Sequence, residues 1–152
     1  MGAILLSRDV PGTPDSLFDT IISPSTWELW FGIHRDLIGQ PPERLSVGST
    51  VTSEILIKGM TDEVEWTATH LDEPNRIVLR GNGRTGLRCD FTYWLQPADV
   101  GTTLTAGITF AGPLITDRIT KILEEQGFLE LDRTLTQLAE IACAMREYDA
   151  PH

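Results

Sequence analysis

The stretch LRCDFTYWLQPADVGTTLTAGITFAGP, residues 87–113, decides the fold. Leu87, Cys89, Phe91, Tyr93 and Leu95 alternate with Arg88, Asp90, Thr92, Trp94 and Gln96. After Pro97–Gly101, a turn-forming segment, Leu104, Ala106, Ile108 and Phe110 alternate with Thr103, Thr105 and Thr109. A period of two places alternate side chains on opposite faces of a strand, so this stretch is a hairpin with one apolar and one polar face. Gly112-Pro113 then ends the strand pattern.

Working backward, the same period holds from His34 onward. Val51, Ser53, Ile55 and Ile57 share one parity; so do Val64, Trp66, Ala68 and His70, and then Ile77 and Leu79. Lys58–Asp62, Asp72–Asn75 and Asn82–Thr85 are short connectors suited to hairpins. The result is an antiparallel meander with one buried face. Before it, Ile4–Val10 reads as an edge strand, and Thr13 followed by Pro14 reads as a capped helix start carrying Leu17, Phe18, Ile21 and Ile22. Ser25–Glu28 matches a capping box and opens a second short helix with Trp27, Trp30 and Phe31.

Beyond Pro113 the period becomes helical. Phe128, Leu131, Leu135, Leu138, Ala142 and Met145 form a stripe at three- and four-residue spacing. A straight helix over 114–147 would span about 50 Å, long for a domain of this size. Ile115, Ile119 and Ile122 fall out of phase with the later stripe, so a bend or break is expected at Gly127. The expected fold is therefore α+β: six or seven curved antiparallel strands around a long C-terminal helix, with two short helices after the first strand. One domain covers residues 1–148, and 149–152 is a frayed tail.

The chain has 152 residues, 12 basic and 22 acidic, for a net charge of −10. That length buries a core without staples. The acidic balance and scattered arginines disfavour nucleic acid and anionic membranes as partners. Cys89 and Cys143 lie in apolar patterns without CxxC spacing, as reduced core residues of a cytoplasmic protein do. Ala3–Leu6 is too short for a signal or a span, so no stable membrane insertion is expected.

Pro24-x-x-Trp27-x-x-Trp30, Leu45-x-Val47-Gly48 and Gly101-Thr102-x-Leu104, in this order of elements, resemble the START-like superfamily, the polyketide cyclase/dehydrase and lipid transport group with the helix-grip fold. The resemblance covers nearly the whole chain, and its motifs mark hairpins and fold positions, not chemistry. It implies an apolar cavity between sheet and helix. Related actinobacterial-type proteins are described as toxins of toxin–antitoxin pairs, though the acidic charge here does not suit a nuclease.

Gly81-x-Gly83-x-x-Gly86 fits a dinucleotide fingerprint in letters, but that site needs a helix after the strand. Strand patterns on both sides make it a hairpin turn. His34, His70 and His152 have no partner at metal-ligand spacing, and no Gly-x-Ser-x-Gly elbow occurs, so neither metal nor cofactor is expected.

The leading functional expectation is binding of a hydrophobic small molecule, such as a lipid, polyketide or isoprenoid-like compound. Its lining is expected from inward positions: Ser53, Ile55, Trp66, Leu79, Cys89, Phe91, Tyr93, Ile108, Phe110 and Leu131, with Trp30 and Phe31 at the mouth. No inward Asp, Glu, Lys or Arg is expected on the clearer strands, which points to a neutral ligand. His34, Arg35 and Arg84 are expected near the mouth. One alternative is a polyketide aromatase/cyclase, with Tyr93 and His70 as the acid–base pair. Another is a protein-interaction module such as a toxin–antitoxin component, hinted at by Trp94 and Leu56 on the wet parity. Either a monomer or a homodimer fits.

Overall fold

The computed structural model describes residues 2–57, 59–113 and 115–149, and side chains within these except at 2, 57 and 143–149. The side chains of Cys143 and Met145, expected in the core, lie outside what it describes, as do residues 150–152 of the expected tail, whereas Asp149 is the last residue of the C-terminal helix. Seven strands form one antiparallel sheet: β1 (Gly2–Val10), β2 (His34–Ile38), β3 (Thr50–Ile57), β4 (Met60–Asp72), β5 (Arg76–Gly83), β6 (Arg88–Pro97) and β7 (Thr102–Ala111). Their order is β1-β7-β6-β5-β4-β3-β2, so the meander runs from β2 to β7 and the first strand returns beside the last. Helices α1 (Pro14–Ile21) and α2 (Trp27–Trp30) connect the two sheet edges, and α3 (Asp117–Asp149) follows the sheet. This is the expected α+β helix-grip.

Local chemistry explains the elements. Thr13 Oγ1 accepts from Ser16 N at 3.1 Å and caps α1, with Pro14 at its first position. In β7 every second residue from Thr102 to Phe110 is buried, matching the alternation in the sequence. Gly101 has φ +87° and a Cβ there would lie 2.2 Å from Val10 O, so the turn into β7 requires glycine.

Three expectations are corrected. The capping box over Ser25–Glu28 does not form. The chain instead enters a 3-10 turn at Pro24, and α2 has no side-chain cap. The Thr26 hydroxyl lies 2.7 Å from Thr20 O and 2.8 Å from Ser23 O, and it accepts from Trp30 Nε1 at 2.9 Å. That hydroxyl is committed to holding α2 against α1.

Of the expected connector Lys58–Asp62, Lys58 lies outside the described residues and Met60–Asp62 belong to a strand. Ile57 pairs with Met60, and Gly59 before Met60 has φ +77°. β4 therefore begins at Met60.

Helix α3 does not break at Gly127 and runs continuously. A Cβ at Gly127 would lie 2.6 Å from Ile4 Cδ1 and 3.1 Å from Phe110 Cζ. The glycine permits close approach of helix and sheet, and a single glycine weakens a helix by only about 1 kcal/mol. Counting it as a stripe member restores the phase: Ile119, Leu123, Gly127, Leu131, Leu135, Leu138 and Ala142 all face inward, fully or half-buried. Phe128, one residue further round, is 48% exposed and does not belong to the stripe. Arg8 on β1 binds Asp132 and Thr136 of α3, and Gly32 N donates to Thr134 Oγ1 at 3.0 Å, tying the helix to the first strand and to the end of α2.

Candidate functional site

The concave face of the sheet divides into a packed half and an open half. In the packed half, α2 delivers Trp27, Trp30 and Phe31 into the sheet, each at most 3% exposed. Phe31 lies 5.0 Å from Phe91 and 5.5 Å from Trp66 between ring centroids, and Trp30 lies 6.2 Å from Tyr93. Trp66 and Phe91 meet edge to face at 5.4 Å. Such pairs add roughly 0.5–1.5 kcal/mol each beyond their area. Trp66 Nε1 donates to Ser53 Oγ at 3.0 Å, so the one buried serine of β3 is already engaged.

The wedge of aromatics fills space that the sequence reading leaves to a ligand. Trp30 and Phe31 sit in this wedge, not at an opening. Leu79, Cys89, Ile108 and Leu131 are buried around it. Gly81 makes room for Trp66: a Cβ there would fall 2.6 Å from Trp66 Cζ3 and 2.7 Å from Cys89 O. The glycine motif at 81–86 is thus a hairpin, with Gly83 N donating to Leu87 O at 2.7 Å and Gly86 at φ +89°.

The open half lies at the hairpin end of the sheet, under the first turns of α3. There a cavity of about 540 Å³ is lined by Ile55, Leu87, Phe110, Gly112, Ile115, Ile119 and Leu123. Met60, Thr61, Asp62 and Thr85 complete the lining. Of the expected lining residues only Ile55 and Phe110 border it. The volume falls within the usual range for small-molecule sites, about 300–1,000 Å³.

Asp62 corrects the expectation that no acidic residue on these strands points inward. It shares the parity of Val64, Trp66 and Ala68. The signal was in the sequence, hidden by reading 58–62 as a turn. Its Oδ2 accepts from the Thr85 hydroxyl at 2.8 Å, and its Oδ1 accepts from Glu63 N at 2.8 Å. It also lies over Gly83, where a Cβ would meet Oδ2 at 2.2 Å. Leu87 continues the inward parity of β6, while Ile115 and Ile119 are apolar positions that precede the Leu131–Ala142 stripe on α3 and its approach.

His70 is not inward. A bulge between Ala68, opposite Leu79, and His70, opposite Val78, reverses the parity and leaves His70 exposed. Tyr93 is fully buried, and its hydroxyl has no hydrogen-bond partner among the described residues. Burial pushes the Tyr93 phenol and the Cys89 thiol far above their ordinary values, so both stay protonated at neutral pH. Arg35 is exposed, and Arg84 pairs with Glu63 at 3.2 Å. Among the described residues, no group of three His, Cys, Asp or Glu is placed to hold a metal ion, and no helix is long and apolar enough to cross a membrane.

His34 is buried beside the rings of Trp27 and Phe31, is not among the residues lining the cavity, and its Nδ1 has no partner among the described residues. Burial holds its imidazole below the ordinary 6.5, against the opposing charges of Asp36 and Glu28. The unfolded chain thus takes up this proton at a higher pH than the folded one. Stability from His34 is complete above about pH 6.5 and is lost as pH falls through that value toward the folded one. Urea midpoints at pH 7.5 and pH 5.0 should drop more for the natural chain than for His34→Gln. Equal drops would contradict the assignment.

No family model matches the chain. The uncharacterized protein Rv1546 of Mycobacterium tuberculosis is 24% identical over 141 residues, covering 93% of this chain and 99% of that protein. Toxin Rv0910 of the same organism is 26% identical over 109 residues, 72% of this chain and 76% of that one. Among solved structures, TTHA0849 from Thermus thermophilus matches with a TM-score of 0.77 at 15% identity, over 94% of this chain and 98% of that one. Major latex-like protein 151 from Panax ginseng matches with a TM-score of 0.69 at 13% identity, over 93% and 97%. The likeness to these structures shows a shared fold, an antiparallel half-barrel sheet with a long C-terminal helix.

Proposed function

We propose that the chain binds a hydrophobic small molecule in the cavity between the β3–β4 and β5–β6 hairpins and the start of α3. The carrying observation is the cavity itself: apolar walls from Ile55, Leu87, Phe110, Ile119 and Leu123, with polar side chains, among the described lining residues, only at Asp62, Thr61 and Thr85. Leaving that much apolar surface unfilled forgoes contacts that a ligand would restore. Similarity of fold to the major latex-like protein agrees with a cavity-bearing architecture.

The cyclase reading has less support. His70 lies outside, Ser53 is engaged by Trp66, and Tyr93 is buried in the aromatic wedge beyond the cavity. A protein-interaction role draws support from the likeness to toxin Rv0910 and from the exposed Phe128 and Leu129 on α3. Mass measurement during size-exclusion chromatography separates a complex or dimer from a monomer.

The binding reading is tested by native mass spectrometry and by titration with the neutral dye Nile red. Ile119→Trp puts an indole into the cavity without touching the aromatic wedge. It should weaken dye binding at least tenfold, about 1.4 kcal/mol, with an unchanged circular dichroism spectrum. Full affinity in that variant would place the ligand elsewhere.

A further inference from the structure

We propose that Asp62 selects the ligand's polar end: the cavity takes an amphiphile whose head donates hydrogen bonds, a hydroxyl or an ammonium, and rejects a carboxylate. This rests on the binding reading above and adds the head-group chemistry to it.

Among the described residues lining the cavity Asp62 alone is ionisable, and it stands where the apolar walls meet the exposed rim of Met60, Thr61 and Thr85. Two donors fix its carboxylate, the Glu63 N–H and the Thr85 hydroxyl. An ionised carboxylate offers about four lone-pair sites, so acceptor capacity is left over. Among the described residues no Arg or Lys pairs with it; the nearby Arg84 is held by Glu63. A donor head therefore finds a ready acceptor, whereas a second carboxylate would meet a like charge in a half-buried site.

One feature opposes this. The N-terminus of α3 lies beside the cavity and carries partial positive charge. Thr116 Oγ1 already accepts from Ile119 N at 3.3 Å, and Asp117 opens the helix, so the chain's own groups meet that end. The net charge of −10 adds to the preference against anions.

The test uses three ligands of one alkyl length, decylamine, decan-1-ol and decanoate, displacing Nile red from the full chain at pH 7.5. Decylammonium and decanol should each bind roughly tenfold or more tighter than decanoate. In Asp62→Asn the decylammonium advantage over decanoate should collapse. A second variant, Thr85→Val, removes one fixed donor but keeps the carboxylate, and it should retain the preference. Decylammonium outranking decanol assigns the site to a cation, and parity between them to a neutral donor; both support a donor head.

Decanoate binding as tightly as the others, or an order unmoved by Asp62→Asn, would overturn the proposal. If none of the three displaces dye and Ile119→Trp leaves dye binding intact, the cavity reading itself fails. That result is distinct from a wrong head group.

Discussion

Trp66→Ala should lower unfolding stability by about 3–5 kcal/mol, a large share of the roughly 5–15 kcal/mol that holds a domain together. Trp66 is 1% exposed and packs on Phe31 and Phe91, so truncation leaves a hole that rigid neighbours cannot close. The change also strands Ser53 Oγ, which accepts the indole N–H at 3.0 Å in a fully buried position. An unpaired buried polar atom adds about 1–3 kcal/mol where nothing replaces its partner. Urea unfolding followed by fluorescence of the remaining tryptophans measures the loss. A shift of the midpoint worth under 1 kcal/mol would mean that the wedge repacks freely.

Gly81→Val should also be damaging, by somewhat less and for the opposite reason. The position is extended and ordinary in backbone, so glycine is needed for space alone. A branched side chain would drive into the Trp66 ring and, less forgivingly, into Cys89 O, which belongs to the neighbouring strand. Overpacking of this kind destabilises by about 1–3 kcal/mol, and a backbone contact pushes toward the upper end. Combining it with Trp66→Ala separates the two clashes. Removing the indole relieves one of them, so the double variant should lose less than the sum of the singles. Strict additivity would show that the ring is not what the glycine accommodates.

The strands were legible because one face of the sheet is wet: β6 and β7 wrote their parity in unbroken alternation of Cys89, Phe91, Tyr93 and of Leu104, Ala106, Ile108. Parity failed where one residue was inserted, at the bulge that turns His70 outward, since nothing in the side chains of Ala68–His70 announces an extra residue. The helix stripe was misphased because its central member, Gly127, has no side chain to register in a pattern of hydrophobicity.

The site was less legible than the fold. Inward parity identifies the concave face but not which part of it α2 fills. That depends on how far Trp30 and Phe31 reach across the sheet, a tertiary fact with no period. Asp62 was in register with Val64 and Trp66 all along, and only the assumed length of the β3–β4 turn concealed it.

The return of β1 to the side of β7 has a kinetic consequence. Gly2 pairs with Phe110, and Val10 with Thr102, so the first strand has no partner until about a hundred further residues have been made. During synthesis on the ribosome, β2 to β7 become available hairpin by hairpin, each pairing locally as it emerges. The leading strand, with Ile4, Leu5 and Leu6 in sequence, must wait beside them uncovered. It is an unpaired apolar β-segment, the kind on which chains associate wrongly. The last events, pairing of β1 on β7 and closure of α3 over both, shut that window together, because Arg8 and Ile4 meet the helix only when it arrives.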